Sequence, residues 1–93
     1  MKLVVRDSAT RDLEKIHDFI AQDSSANARL VVTRIHNVIL KYILIFPMIG
    51  RSGRIPGTRE LTVAGLPYIV VYKVESERDA VIVLSIVHGA QQR

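Results

Sequence analysis

The side chains best suited to chemistry in this chain are His88 and the arginines Arg51, Arg54 and Arg59. Cleaving a phosphodiester beside a ribose hydroxyl needs a base for the hydroxyl proton, an acid for the leaving oxygen and cations for the charge that builds at phosphorus. The arginines would supply the cations, and His88, whose free pKa lies nearest neutrality, would move the protons. The plain alternative is that His88 closes the packing at a strand end and the arginines coat a solvated surface. No acid interrupts the stretch from Pro47 to Arg59, so the same basic loop suits nucleic acid, a ribosome or an acidic protein partner.

Other chemistries find little support. His17 and His36 lack the spacing of a helical metal site and the chain has no cysteine, so neither a zinc site nor a disulfide is expected. Gly50-Arg51-Ser52-Gly53-Arg54 lacks the Gly-Lys-Ser/Thr ending of a phosphate-binding loop, and no serine lies in a nucleophile elbow. No cofactor is expected. The longest apolar stretch, Val38 to Phe46, is broken by Lys41 and stops at Pro47, too short to span a bilayer. Leu3 to Val5 is too short for a signal segment. These features, with the absence of cysteine, lead us to expect a cytoplasmic protein without a membrane partner.

The elements that would position these residues follow from spacing. Leu3, Val4 and Val5 form a buried strand over Lys2 to Arg6, and the Asp7-Ser8 pair offers oxygens to cap a helix start. Ala9, Leu13, Ile16 and Ile20 recur at helical spacing, predicting an amphipathic helix over Ala9 to Gln22. Asp23-Ser24-Ser25 breaks it and caps a second helix from Ala26, whose apolar face runs through Ala28, Val31, Val32, Ile35, Val38, Ile39, Tyr42 and Ile45 until Pro47 stops it. The short connector makes the pair an antiparallel hairpin. Pro47 to Gly57 reads as a loop. Arg59 to Val63 alternates, Ala64 to Pro67 turns, and Tyr68 to Val74 is β-branched and aromatic. Glu75 to Asp79 is a charged loop, and Ala80 to Val87 is apolar enough to be a central strand.

The fold class is therefore α+β: a strand, a helical hairpin, then a three-stranded antiparallel meander, with the helices on one face of the sheet. Thr62, Tyr72, Lys73 and Ser85 are the polar residues expected on the other face, unless a partner segment covers it. At 93 residues the chain forms one domain, residues 1–93, burying roughly 60–65% of its unfolded surface. An apolar fraction of 48% and a net charge of +4, with the positive excess mostly in the second half, point to an acidic partner that completes the core.

The order of these segments carries a resemblance. A Ser8-led helix with Asp12-Leu13 and Ile16, a second helix ending near Pro47, a Gly-rich basic loop, the Arg59-Glu60-Leu61 strand, the Tyr68 to Val74 strand and a closing strand into His88-Gly89-Ala90 together resemble the RelE/ParE superfamily of bacterial toxin-antitoxin toxins. The resemblance implies a toxin neutralised by a cognate antitoxin whose C-terminal segment wraps it, and hence a hetero-oligomer. RelE-like members cut mRNA on the ribosome with Arg, Lys, His and a terminal aromatic, whereas ParE-like members poison DNA gyrase. The middle strand here, Tyr68 to Tyr72, carries no arginine, and Gly89-Ala90-Gln91-Gln92 follows His88 where the ribonuclease branch has Tyr or Phe. The His88-Gly89-Ala90 ending resembles the ParE-like branch, with Gln91 where that branch often has Arg. Arg59 matches the family's strand arginine. The expectation is a ParE-like gyrase inhibitor that contacts its target or antitoxin through Arg51, Arg54, Arg59, Tyr68, His88, Gln91, Gln92 and Arg93. The alternatives are a ribosome-dependent mRNA endoribonuclease with His88 and Arg59 as catalytic residues, and a non-toxic antitoxin-binding relic of the same fold.

Overall fold

The computed structural model describes the backbone of residues 1–92 and the side chains of residues 1–90. Strand β1 (Lys2–Val5) leads into helices α1 (Asp7–Ala21) and α2 (Ser25–Val38), followed by strands β2 (Arg51–Ser52), β3 (Arg59–Thr62), β4 (Tyr68–Glu75) and β5 (Ala80–His88). The strands form one mixed sheet in the order β1-β5-β4-β3-β2. β3, β4 and β5 make the expected antiparallel meander. β1 lies parallel to β5, Lys2 opposite Ala80 through Val5 opposite Val83, which makes the apolar β5 an interior strand. Among the described residues no helix is long and apolar enough to cross a membrane.

Alternation fixes what faces the helices. Tyr68, Val70 and Tyr72 of β4 join Val81, Val83 and Ile86 of β5, with Ala9, Leu13, Ile35, Ile39 and Ile43 from the helical side, in one buried cluster. Each fully buried side chain of this size contributes about 1.5–3 kcal/mol. Val83 and Ile86 share a face only because of a bulge: Tyr72 opposes Val83 while Val71 opposes Ser85, leaving Leu84 as an extra residue. The bulge is where α1 docks. Ser8 Oγ donates to the Leu84 carbonyl at 2.7 Å, and Asp12, one helical turn on, accepts the Ile86 N–H through Oδ2 at 2.9 Å. The expected cap at Asp7-Ser8 is thus absent: Arg6 holds the N-cap position with no side-chain cap bond, because the Ser8 hydroxyl is engaged with β5. Ser24 does cap α2, accepting the Asn27 N–H at 3.1 Å.

The second helix departs from its expected course. After Val38 it widens into a π turn over Ile39–Ile43, with the Leu44 N–H donating to the Ile39 carbonyl at 2.9 Å. A wider turn keeps Ile35, Ile39 and Ile43 stacked in the core and rotates Tyr42 and Ile45, expected on the buried face, out to solvent.

Tyr72 also lies on the face opposite to the one expected. It belongs to the helix-facing side of β4 and is fully buried, whereas Thr62, Lys73 and Ser85 do lie on the other face with Ile69, Val71 and Ile82. Its ring supplies apolar bulk to the core and its hydroxyl finds two partners, donating to the Pro47 carbonyl at 2.7 Å and accepting the Gly50 N–H at 2.9 Å. Gly50 is required there, since a Cβ would stand 2.6 Å from the phenol oxygen. With the turn held this way, the segment read as loop enters the sheet edge as β2, Arg51 opposite Glu60 and Ser52 opposite Arg59.

Tyr72→Phe should destabilise the fold by about 1–3 kcal/mol, because the buried Gly50 N–H and the part-buried Pro47 carbonyl both lose their partner. Burial pushes the Tyr72 hydroxyl above its ordinary 10.0, outweighing the opposing pulls of the Gly50 bond and Arg59. A neutral phenol favoured in the folded state stabilises below that ordinary value and loses its contribution as pH rises through the raised one. Thermal melts between about pH 8 and about pH 11 should therefore fall more steeply for the native chain than for Tyr72→Phe.

Candidate functional site

His88 ends β5 opposite Tyr68, the first residue of β4. The two rings meet edge to face, centroids 5.7 Å apart and planes at 84°. The Ala90 N–H donates to His88 Nδ1 at 3.1 Å, so the neutral ring in this geometry carries its proton on Nε2. Across from the pair, α1 contributes Asp12, Lys15, Ile16 and Phe19 to an open groove of about 330 Å³ that Ile86 completes. These α1 residues were missed in the sequence, although Phe19, an aromatic on the charged side of the helix and 70% exposed, is the signal that would have found them. Among the described residues Lys15 is the cation that lines this groove, and Asp12 already accepts the Ile86 N–H.

The arginines gather at the far edge of the sheet, but not on one surface. Arg51 faces away from the helices, where its Nη2 lies 3.4 Å from Oε1 of Glu60. Glu60 is only 5% exposed, and its second oxygen accepts the Arg54 N–H at 3.1 Å, so a nearly buried carboxylate ties the β2 loop to β3. The Arg54 side chain is exposed. Arg59, one residue before Glu60, falls on the helix-facing side. Its Nη1 donates to the Gly50 carbonyl at 2.6 Å and to that of Met48 at 3.4 Å, so it holds the turn that Tyr72 also holds.

The two regions are well separated. Arg59 is in register with Tyr72 on one side of β4 and His88 with Tyr68 on the other. Strand rise and spacing put their Cα atoms on the order of 15 Å apart. The structure therefore brings His88 together with Tyr68, Lys15 and Phe19, and keeps Arg51, Arg54 and Arg59 away from them. The groove can hold and orient a group from another molecule. It does not offer a proton shuttle ringed by the arginines that would stabilise a phosphorane. A short helical turn, Gly89–Gln92, follows His88. The side chains of Gln91 and Gln92, and Arg93 altogether, lie outside the described residues. Among the described residues no group of three or more His, Cys, Asp or Glu is placed to hold a metal ion.

Comparison with known proteins agrees with this architecture. The profile of the family described as "ParE toxin of type II toxin-antitoxin system, parDE" matches residues 3–93. "Putative toxin Y4kP" of Sinorhizobium fredii (strain NBRC 101917 / NGR234) is 37% identical over 84 residues, covering 90% of this chain and 83% of that protein. Among solved structures, the chromosomal ParDE system of P. aeruginosa superposes with a TM-score of 0.78 at 24% identity, over 95% of each chain. The RelBE2 toxin-antitoxin complex of Mycobacterium tuberculosis gives 0.72 at 18% identity, over 94% of this chain and 95% of that one. The intact E. coli RelBE complex gives 0.59 at 19%, over 94% of each. At these identities the solved structures show the shared fold. The family profile and the curated relative show that this chain belongs to the ParE toxin family of type II toxin-antitoxin systems.

The three arginines should separate by mutation. Arg59→Ala, which frees two loop carbonyls from a charged donor, should lower stability by about 1.5–3 kcal/mol in urea unfolding. Arg54→Ala should leave it within about 0.5 kcal/mol. Equal effects would mean that Arg59 does not hold the turn.

Proposed function

We propose that this ParE-family chain arrests growth by binding DNA gyrase, is held inactive by a cognate antitoxin, and cleaves no RNA. The observation that carries the reading is the separation of His88 from the arginines. General acid-base transfer and phosphorane stabilisation act on the same few atoms, and Arg59, whose Cα lies on the order of 15 Å from that of His88 and whose guanidinium is engaged at the Met48 and Gly50 carbonyls, is not placed to share that transition state. The groove between α1 and the β4–β5 end, with the exposed Phe19 beside Lys15 and the Tyr68–His88 pair, suits an aromatic and cationic contact to a protein surface instead. The family profile, drawn from ParE toxins, supports the toxin role, and the shared fold with the solved ParDE and RelBE toxin-antitoxin systems favours an antitoxin partner.

One feature favours the mRNA endoribonuclease as a second reading: His88, Tyr68 and Lys15 line one groove, a set able to move a proton and bind a phosphate. The two readings part on direct assay. Purified protein should inhibit gyrase supercoiling or trap cleaved DNA, leave mRNA on programmed ribosomes uncut, and lose inhibition when Gly89 to Arg93 are deleted. Codon-dependent cuts in primer extension, reduced about a hundredfold by His88→Ala with gyrase unaffected, would install the nuclease reading. Antitoxin binding with neither activity would identify a non-toxic relic.

A further inference from the structure

Helix α1 parts its charge between two flanks. On the side toward α2, Glu14, His17 and Asp18 line, with Val5, Leu13 and Val32, an apolar depression of about 510 Å³. On the side toward the end of β5, the groove holds Lys15, Ile16 and Phe19, and Asp12 there already accepts the Ile86 N–H. Among the described residues Lys15 enters no ion pair. An anionic group approaching α1 is therefore disfavoured by Glu14 and Asp18 on one flank and drawn to Lys15 on the other.

The second donor of the groove is set by the backbone. With Nδ1 taken by the Ala90 N–H, His88 has Nε2–H, across the ring, to offer, and the edge-to-face contact with Tyr68 holds the tilt of the ring. The Gly89 N–H donates to the Pro67 carbonyl at 2.7 Å, which pins the turn carrying Ala90 to the residue before β4. The imidazole is thus oriented before any partner arrives. One ammonium and one neutral N–H match a carboxylate, which accepts at both oxygens. A nucleic-acid strand brings a charge at every nucleotide and calls for a row of cations. The groove has one among the described residues, and Arg51 and Arg59 are engaged at Glu60 and at the turn carbonyls. Ile16, Ile86 and the 70%-exposed Phe19 add apolar walls. At about 330 Å³ the groove sits at the small end of ligand-sized pockets, roughly 300–1,000 Å³, and takes one or two side chains rather than a helix.

We infer that the groove between α1 and the end of β5 recognises an acidic side chain of the target protein, its carboxylate held by Lys15 and His88 Nε2–H and an apolar neighbour of it packed on Phe19. This rests on the toxin reading above and names what the protein target brings to that groove. Lys15 sets the sign of the charge accepted, His88 the direction from which the carboxylate is met, and Phe19 the apolar residue beside it.

The test compares Lys15→Glu with Lys15→Arg in the full chain. Lys2→Glu is the control, the same charge reversal at an exposed site by the opposite end of β5 from His88. Lys15 is exposed as well, so circular dichroism and melting temperature should match the native chain in all three. Binding to purified gyrase subunits, measured without DNA, should weaken about a hundredfold or more in Lys15→Glu, which sets two anions against each other. It should stay within about threefold of native in Lys2→Glu and be largely restored in Lys15→Arg. His88→Gln, whose amide nitrogen reaches the place of Nε2–H, should bind about tenfold more tightly than His88→Ala. Equal affinities for Lys15→Glu and Lys2→Glu would reduce Lys15 to bulk charge and overturn the proposal. So would a Lys15→Glu defect that appears only with DNA-bound gyrase, which would give the groove to a phosphate. If the native chain arrests growth without binding gyrase, the gyrase assignment fails alone. Growth arrest lost in Lys15→Glu and kept in Lys15→Arg and Lys2→Glu then upholds this inference, and any other pattern overturns it. A native chain that neither binds gyrase nor arrests growth overturns both.

Discussion

The hydroxyl of Tyr72 sits fully buried where the second helix leaves the core, holding the Pro47 carbonyl at 2.7 Å and the Gly50 N–H at 2.9 Å. An unpaired buried hydroxyl costs about 1–3 kcal/mol, and so does each backbone group it would abandon. The turn therefore has one low-energy position relative to β4. Arg59, on the neighbouring strand, binds the carbonyls of Gly50 and Met48 and closes the same turn from a second direction. From this follow the glycine at position 50, the entry of Arg51–Ser52 into the sheet edge, and the burial of Glu60 beneath the loop that Arg54 begins.

A different device fixes the start of α1, level with Tyr72 along the strands but over β5. The β5 bulge leaves the Leu84 carbonyl outside the ladder, and Ser8 and Asp12 bind that strand at Leu84 and Ile86. The hairpin is thus tethered by polar contacts at the start of its first helix and just past the end of its second, and packed on the sheet through aliphatic side chains. Those tethers absorb side chains otherwise suited to chemistry. Asp12 accepts a strand N–H, Arg59 serves a turn, and Glu60 is held by Arg51 and a backbone N–H. What remains for a partner is the Tyr68–His88 groove at one place and the apolar, basic helix exit at another.

The sheet was legible because its signals are local. Alternation in Arg59 to Val63 located β3 to within a residue, and the apolar run from Ala80 identified an interior strand. Ser24 capped as its position suggested. The π turn was not legible, because Tyr42 and Ile43 both stand at helical spacing from Ile39, and only tertiary packing chooses which one is buried. The Leu84 bulge hides for a related reason: in a nearly continuous apolar strand, a change of parity leaves no trace. Tyr72 was misplaced through its polar label, although it shares parity with Tyr68 and Val70. At the site, the hairpin made the Tyr68–His88 pairing accessible in principle. The arginines scattered because Arg59 and Glu60 are adjacent on a strand and must face opposite ways, and Arg51 follows Glu60.

The exposed helix exit explains how a small domain can combine a stable fold with a sticky surface. Burying Tyr42, Ile45 and Phe46 within the monomer would require the helix to continue in α geometry and would rotate Ile43 out of the core. The π turn resolves that competition in favour of the core, and the surplus apolar side chains go to the surface. The basic rim, with no acid between Asp23 and Glu60, then disfavours self-association by like-charge repulsion and favours an acidic partner through the same charges. Net positive charge of this kind keeps free chains apart without protecting them from oppositely charged apolar segments. The rigidity supplied by Tyr72 and Arg59 confines most of the ordering cost of such a contact to the partner, so that affinity depends chiefly on how well the partner's seam fits a surface already in place.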